Sequence, residues 1–156
     1  SRPFGVFKRN LTDNGPVEFE LTAPKIPWAI VEETIELFRK NPTYEFAVQI
    51  FYDVEKRTYS IYVPEQESSR GHVIFQRNTE MEDKHVLVMD IHSHASFHAF
   101  FSHTDNADEK GIRLYMVIGN LDKPRCSFKI RAGMAGAFGE MTLADVFYMQ
   151  EVYSDE

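Results

Sequence analysis

At 156 residues the chain has the length of one domain, and its 43% apolar and 26% charged residues exclude a disordered or collagen-like polymer. One cysteine, Cys126, rules out an internal disulfide and any zinc site built on two or more thiolates. The net charge of -7 leaves phosphate neutralisation to a local basic patch, and none is visible, so nucleic acid is not an expected partner. Residues 1–156 are therefore read as a single domain. No stretch reaches the roughly 18 apolar residues that a bilayer crossing needs. Ser1-Arg2-Pro3-Phe4-Gly5 lacks the basic-then-apolar layout of a signal peptide, so the expected setting is a reducing cytoplasm.

In chain order, Val17 to Leu21 alternates apolar and polar residues and predicts a short half-buried strand. From Pro27 to Lys40 the period changes: Trp28, Val31, Ile35 and Phe38 recur at helical spacing, Pro27 suits a first helical turn, and Asn41-Pro42 is a stop. Strands are predicted at Glu45–Tyr52, Thr58–Val63, His72–Gln76, His85–His92 and Leu114–Gly119, with Ser127–Ala132 the last. The polar gaps Pro64–Gly71 and Asn78–Lys84 read as turns. A short helix is expected over Thr104–Lys110, stopped by Gly111, and another after Thr142, with Leu143, Val146 and Phe147 on one face. The pattern is that of a mixed α/β (α+β) domain.

Of six histidines, four (His92, His94, His98 and His103) fall between positions 92 and 103. The apolar run Val86–Ile91 ends in His92-Ser93-His94, and strand alternation turns residues i and i+2 to one face, so both imidazoles can meet one metal ion. After a seven-residue spacer come Ser102 and, three further on, Asp105, which a helix start near Thr104 would hold beside that face. Two histidines and a carboxylate leave a fourth tetrahedral position for water, the layout of a hydrolytic zinc site.

His92-Ser93-His94, the seven-residue spacer and Ser102-His103-Thr104-Asp105 resemble the motif of the JAMM (MPN-plus, JAB) zinc metalloproteases in residue type, order and spacing. The family's early Glu matches Glu45 in Asn41-Pro42-Thr43-Tyr44-Glu45-Phe46, and the likeness spans roughly Pro27 to Ala132. Ala99–Ser102, Asp108–Gly111 and Leu114–Gly119 are further similar to prokaryotic JAB proteins encoded near ubiquitin-like conjugation genes. Two positions depart from the pattern: Ala95 replaces a usual Pro, which would loosen the turn after the second histidine, and Ala47 stands where glycines are common.

The resemblance implies a JAB/MPN (cytidine-deaminase-like) fold, a single mixed β-sheet flanked by helices. It implies one zinc ion per chain on His92, His94 and Asp105, lowering the pKa of a water, with Glu45 as general base and Ser102 as hydrogen-bond donor to the oxyanion. The implied activity is hydrolysis of the peptide or isopeptide bond after the C-terminus of a ubiquitin-like protein, in deconjugation or precursor processing, within a bacterial pathway linked to phage defence. The substrate tail would pair as an added strand. The insertions that hold the ubiquitin-like body in related enzymes would fall at Pro64–Lys84 and Asn120–Met141.

Other readings of the same residues stay open. Ser102 followed by Asp105 also resembles a helix capping box. Glu55, Glu65 and Glu67 compete with Glu45 for the base. His98 and His103 can shape the pocket, bind a second ion or simply face solvent, whereas His72 and His85 read as structural and Cys126 as an ordinary buried or half-buried thiol. Phe97, Phe100 and Phe101 have no basic residue beside them in sequence and are expected to wall the site. At the level of function, the alternatives are a catalytically silent scaffold or binding module, or a JAB peptidase for sulfur-carrier, phage or cell-wall peptides.

Overall fold

Helix α1 (Trp28–Lys40) follows from its apolar stripe: Val31 and Phe38 are fully buried, Trp28 and Ile35 partly so. Pro27 sits one position earlier than expected, as the N-cap, in extended backbone. The stop at Asn41 is made twice over, because its backbone N–H reaches the carbonyls of Leu37 and Phe38 while its side-chain amide donates to Leu37 O at 2.8 Å. Arg39 and Lys40 in the last turn favour the negative end of the helix dipole. These features come from a computed structural model that describes residues 7–10, 18–41, 46–64, 66–69, 72–75, 85–102, 112–134 and 137–149.

Among the described residues, strands β1 (Phe7–Asn10) and β2 (Glu18–Leu21) pair antiparallel, and β3 (Ile26–Pro27) leads into α1. The main sheet uses β4 (Ala47–Asp53), β5 (Thr58–Tyr62), β8 (His85–Ser93), β9 (Arg113–Gly119), β10 (Ser127–Met134) and β11 (Ala137–Met141). Its order is β11-β10-β9-β8-β4-β5, and β8 with β9 is its one parallel pair. Two further strands, β6 (Gln66–Ser69) and β7 (His72–Phe75), form a separate antiparallel pair. This is the mixed α+β architecture expected from the sequence, with one mixed sheet.

Alternation along the central strands gives the sheet two different faces. Val48 and Ile50, Met89 and Ile91, Leu114, Met116 and Ile118, and Ile130 join Val31 and Phe38 of α1 in one apolar core. Phe46 meets Phe38 edge-on at 5.9 Å, and Trp28 packs likewise on Phe128 and Phe147. The opposite face carries polar groups. Asp90 accepts from Gln49 at 3.2 Å and pairs with Arg113 at 2.9 Å, two residues before His92.

Several expectations change. Gln66–Ser69 is a strand rather than part of a turn, paired with the predicted one at His72, and Ala137–Met141 adds a strand after the one expected to be last. The span Asn120–Met141 therefore holds two strands of the main sheet. The final helix, α2, is a single turn (Leu143–Val146), because Phe147 leaves it for β12 (Phe147–Tyr148), which pairs with β3. The expected helix at Thr104–Lys110, its stop at Gly111 and the turn at Asn78–Lys84 lie outside the described residues. Cys126 is half-buried as expected, and burial raises its thiol pKa against the opposing effect of Arg39. His85 is half-buried, 3.6 Å from Asp53. No helix among the described residues is long and apolar enough to cross a membrane.

The brevity of α2 makes its capping box measurable. Thr142 N–H donates to the Asp145 carboxylate at 2.9 Å and Asp145 N–H to the Thr142 hydroxyl at 3.2 Å. The Thr142 backbone N–H, followed by its side chain, holds the Asp145 carboxyl below its ordinary value of 3.8. A depressed carboxylate adds stability above its unfolded pKa and loses it as pH falls through the folded one. Asp145→Ala is expected to lower stability by roughly 0.5–1 kcal/mol at pH 7 in urea unfolding, with the gap closing below about pH 4.

Candidate metal centre

The centre is built at the C-terminal end of β8, which is hydrogen-bonded on both sides. Ser93 N–H donates to Phe46 O at 2.8 Å and His94 N–H to Ile118 O at 2.9 Å. With the backbone held from β4 and β9 alike, the alternation expected from the sequence survives to the last residue. The imidazoles of His92 and His94 lie 5.4 Å apart, centroid to centroid, with planes inclined at 44°. His94 is fully buried, His92 is half-buried, and the Nε2 atoms of both are shielded from solvent.

The ring of His94 is oriented from behind. Its Nδ1 lies 3.3 Å from the carbonyl oxygen of His98. A carbonyl only accepts, so Nδ1 carries the proton and Nε2 keeps its lone pair, the tautomer and backing that a metal-ligating histidine uses. Phe100 packs edge-on against the same ring at 4.5 Å. Two buried histidine nitrogens, one ring backed by a carbonyl, could supply part of a zinc ligand set.

The turn that delivers the His98 carbonyl is tied down at four points. Ala95 N–H donates to Ser93 Oγ at 2.9 Å, Leu121 N–H to Ala95 O at 2.8 Å, Asn120 N–H to Phe97 O at 2.7 Å, and Ala99 N–H to Ser127 Oγ at 2.7 Å. The expectation of a loosened turn at Ala95 is thereby corrected. Ala95 has φ 50°, in the left-handed region, and a used N–H; proline allows neither. Gly119 makes room for this turn, since a Cβ there would lie 2.2 Å from Phe97 O and 2.6 Å from Ala99 N. Gly119 and Asn120, the latter at φ 54°, are structural supports of this turn that the sequence does not single out, although a Gly-Asn pair closing an apolar strand is a turn signal.

The aromatic expectation holds only in part. Phe100 does wall the centre, but Phe97 is 57% exposed. Phe101 has a basic neighbour after all: the guanidinium carbon of Arg131 stands 3.8 Å over its ring, brought there from β10. The His98 side chain is exposed, with its ring 5.1 Å from that of Phe100, and its backbone carbonyl meets His94. Ser102 is half-buried directly after Phe101, whereas Glu45, His103 and Asp105 lie outside the described residues. Among the described residues no three metal-ligating side chains converge, so two of the four proposed ligand and base positions, His92 and His94, are seen together.

Replacing Ala95 separates the two backbone demands. Ala95→Pro is expected to cost roughly 2–4 kcal/mol in urea unfolding, from the forced φ and the lost hydrogen bond. Ala95→Gly, which relieves the left-handed strain, should stay within about 1 kcal/mol of the parent.

Comparison with known proteins bears on the family and the fold. A family model described as prokaryotic homologs of the JAB domain matches residues 29–131. The solution structure of protein DSY2949 from Desulfitobacterium hafniense superposes with a TM-score of 0.60 at 15% identity, covering 81% of this chain and 92% of that one, which supports the fold. No curated protein matches the chain. With the family match spanning α1 through β10, the chain belongs to the prokaryotic JAB domain family.

Proposed function

We propose that the chain is a zinc-dependent peptidase or isopeptidase that hydrolyses the bond following the C-terminus of a ubiquitin-like protein. The observation that carries this reading is the paired His92 and His94, with buried Nε2 atoms and His94 backed by the His98 carbonyl. The JAB family includes peptidases and can bind zinc, which supports the same reading. His92 and His94, with Asp105 three residues beyond Ser102, would hold the ion. Zinc supplies a Lewis acid there and makes a water acidic enough to attack near neutral pH.

The remaining roles fall to side chains. Glu45 is the general base, taking the water's proton and returning it to the leaving amine. In sequence it directly precedes Phe46, whose carbonyl accepts from the Ser93 N–H between the two histidines. Ser102 donates to the oxyanion of the tetrahedral intermediate. The acidic chain favours a protein substrate over a nucleic acid.

Two variants separate metal binding from proton transfer. Zinc-loaded protein is expected to hold about one equivalent, and His92→Ala less than about half, by elemental analysis after dialysis. Glu45→Gln should keep its zinc while losing cleavage of a ubiquitin-like fusion by a factor on the order of 100 or more. Equal cleavage by the parent and both variants overturns the mechanism, and a parent that fails to retain zinc favours a silent scaffold.

A further inference from the structure

We infer that Arg131 is a positioning residue that fixes the place of Ser102 by clamping the aromatic ring just before it. This rests on the reading of Ser102 as the oxyanion donor. Arg131 lies on β10 opposite Tyr115 of β9, which in turn is opposite Asp90 of β8, so it shares the sheet face of His92. It is only 8% exposed. Its guanidinium is sandwiched, with Cζ 3.8 Å from the ring centroid of Phe101 and 3.7 Å from that of Phe138 on β11.

The sandwich matters because of what flanks Phe101. On one side Phe100 packs against the ring of His94 at 4.5 Å; on the other the chain passes directly into Ser102. Two successive rings are thus pinned, one to the first metal-facing strand and one to the far strands of the sheet. The approach of the chain to Ser102 is set by both. A planar guanidinium can stack on two rings at once, whereas an ammonium is a compact charge that cannot lie flat between them, so lysine is not an equivalent. Gly133 completes the clamp: a Cβ there would stand 2.7 Å from Tyr115 Cε2 and 3.3 Å from Phe138 Cδ1, so the absence of a side chain leaves Phe138 its position.

The test compares Arg131→Lys, Arg131→Gln, Phe101→Leu and Phe101→Trp in the full-length zinc-loaded protein, on the ubiquitin-like fusion substrate. The first three are expected to lower kcat by about 10- to 100-fold, a partial loss of an oxyanion contact, with KM within about twofold. Phe101→Trp, which restores a ring face, should recover most of the rate. Adding Arg131→Gln to Ser102→Ala should slow Ser102→Ala no further. An unchanged kcat, or losses that multiply in the double variant, overturns the clamp. Phe101→Leu carries the test if the Arg131 variants do not fold.

Backbone amide exchange over Phe100–Ser102 supplies a readout independent of turnover. Opening of the clamp should accelerate it at least about tenfold in Arg131→Gln relative to the parent, while exchange in β4 stays constant. Unchanged exchange over Phe100–Ser102 overturns the clamp even if the parent cleaves nothing. Absence of cleavage with accelerated exchange leaves the clamp standing and overturns the peptidase reading alone.

Discussion

The strand that carries His92 and His94 is locked from both sides at its last two residues, and the rest of the centre depends on that double tether. Ser93 and His94 each spend their backbone N–H on a different neighbour, Phe46 O before β4 and Ile118 O on β9. A strand end bonded on one side only would fray and twist, and the i, i+2 relation between the imidazoles would blur. The parallel pairing of β8 with β9 supplies the second bond, because it brings the C-terminal ends of both strands to the same edge. The crossover that parallel pairing demands is the segment that bears Ser102 and Asp105. One topological choice thus steadies the histidines, and the described start of the crossover lays the His98 carbonyl and Phe100 against His94.

The division of the sheet into an apolar and a polar face explains how a buried centre coexists with a stable core. Burial of Val48, Ile50, Met89, Ile91, Leu114, Met116 and Ile118 supplies the main apolar core with α1 on one side, while the other side buries Ala47, Tyr115 and Val117. The other side is free to hold charged groups, provided each finds a partner. Asp90 has Gln49 and Arg113, and Arg131 has two rings. These groups share the sheet face of His92, with positions determined by stacking and ion pairing in addition to packing.

Sequence periodicity was a good guide where one face of an element is buried along its whole length. It located α1, the central strands and the histidine pair, because 3.6- and 2-residue repeats are direct consequences of helix and strand geometry. It failed where tertiary partners decide. Gln66–Ser69 has no apolar alternation and becomes a strand by pairing with His72–Phe75, and Phe147 leaves the helical stripe to pair with Ile26. The clamp on Phe101 was illegible for the same reason: Arg131 is thirty positions away in sequence and reaches the ring only through the order of the sheet. A search for basic residues adjacent in the chain cannot find it.

Ala95 shows how a departure from a family pattern can be compensated locally. Proline stiffens a turn by fixing φ near -65° and forgoing its N–H. Here the backbone turns the other way, to φ 50°, and stiffness comes from use of that N–H, which caps onto Ser93 Oγ, together with Leu121 N–H on the Ala95 carbonyl. Ser93 is the residue between the two histidines, so its buried side chain lies on the opposite side of the strand from them, where its hydroxyl holds the turn. The same turn must present the His98 carbonyl to His94, and it can do so only because Gly119 lets the backbone of Phe97–Ala99 lie directly against β9. The substitution at 95 and the glycine at 119 are therefore parts of one solution, in which hydrogen bonds and close backbone contact replace a ring constraint.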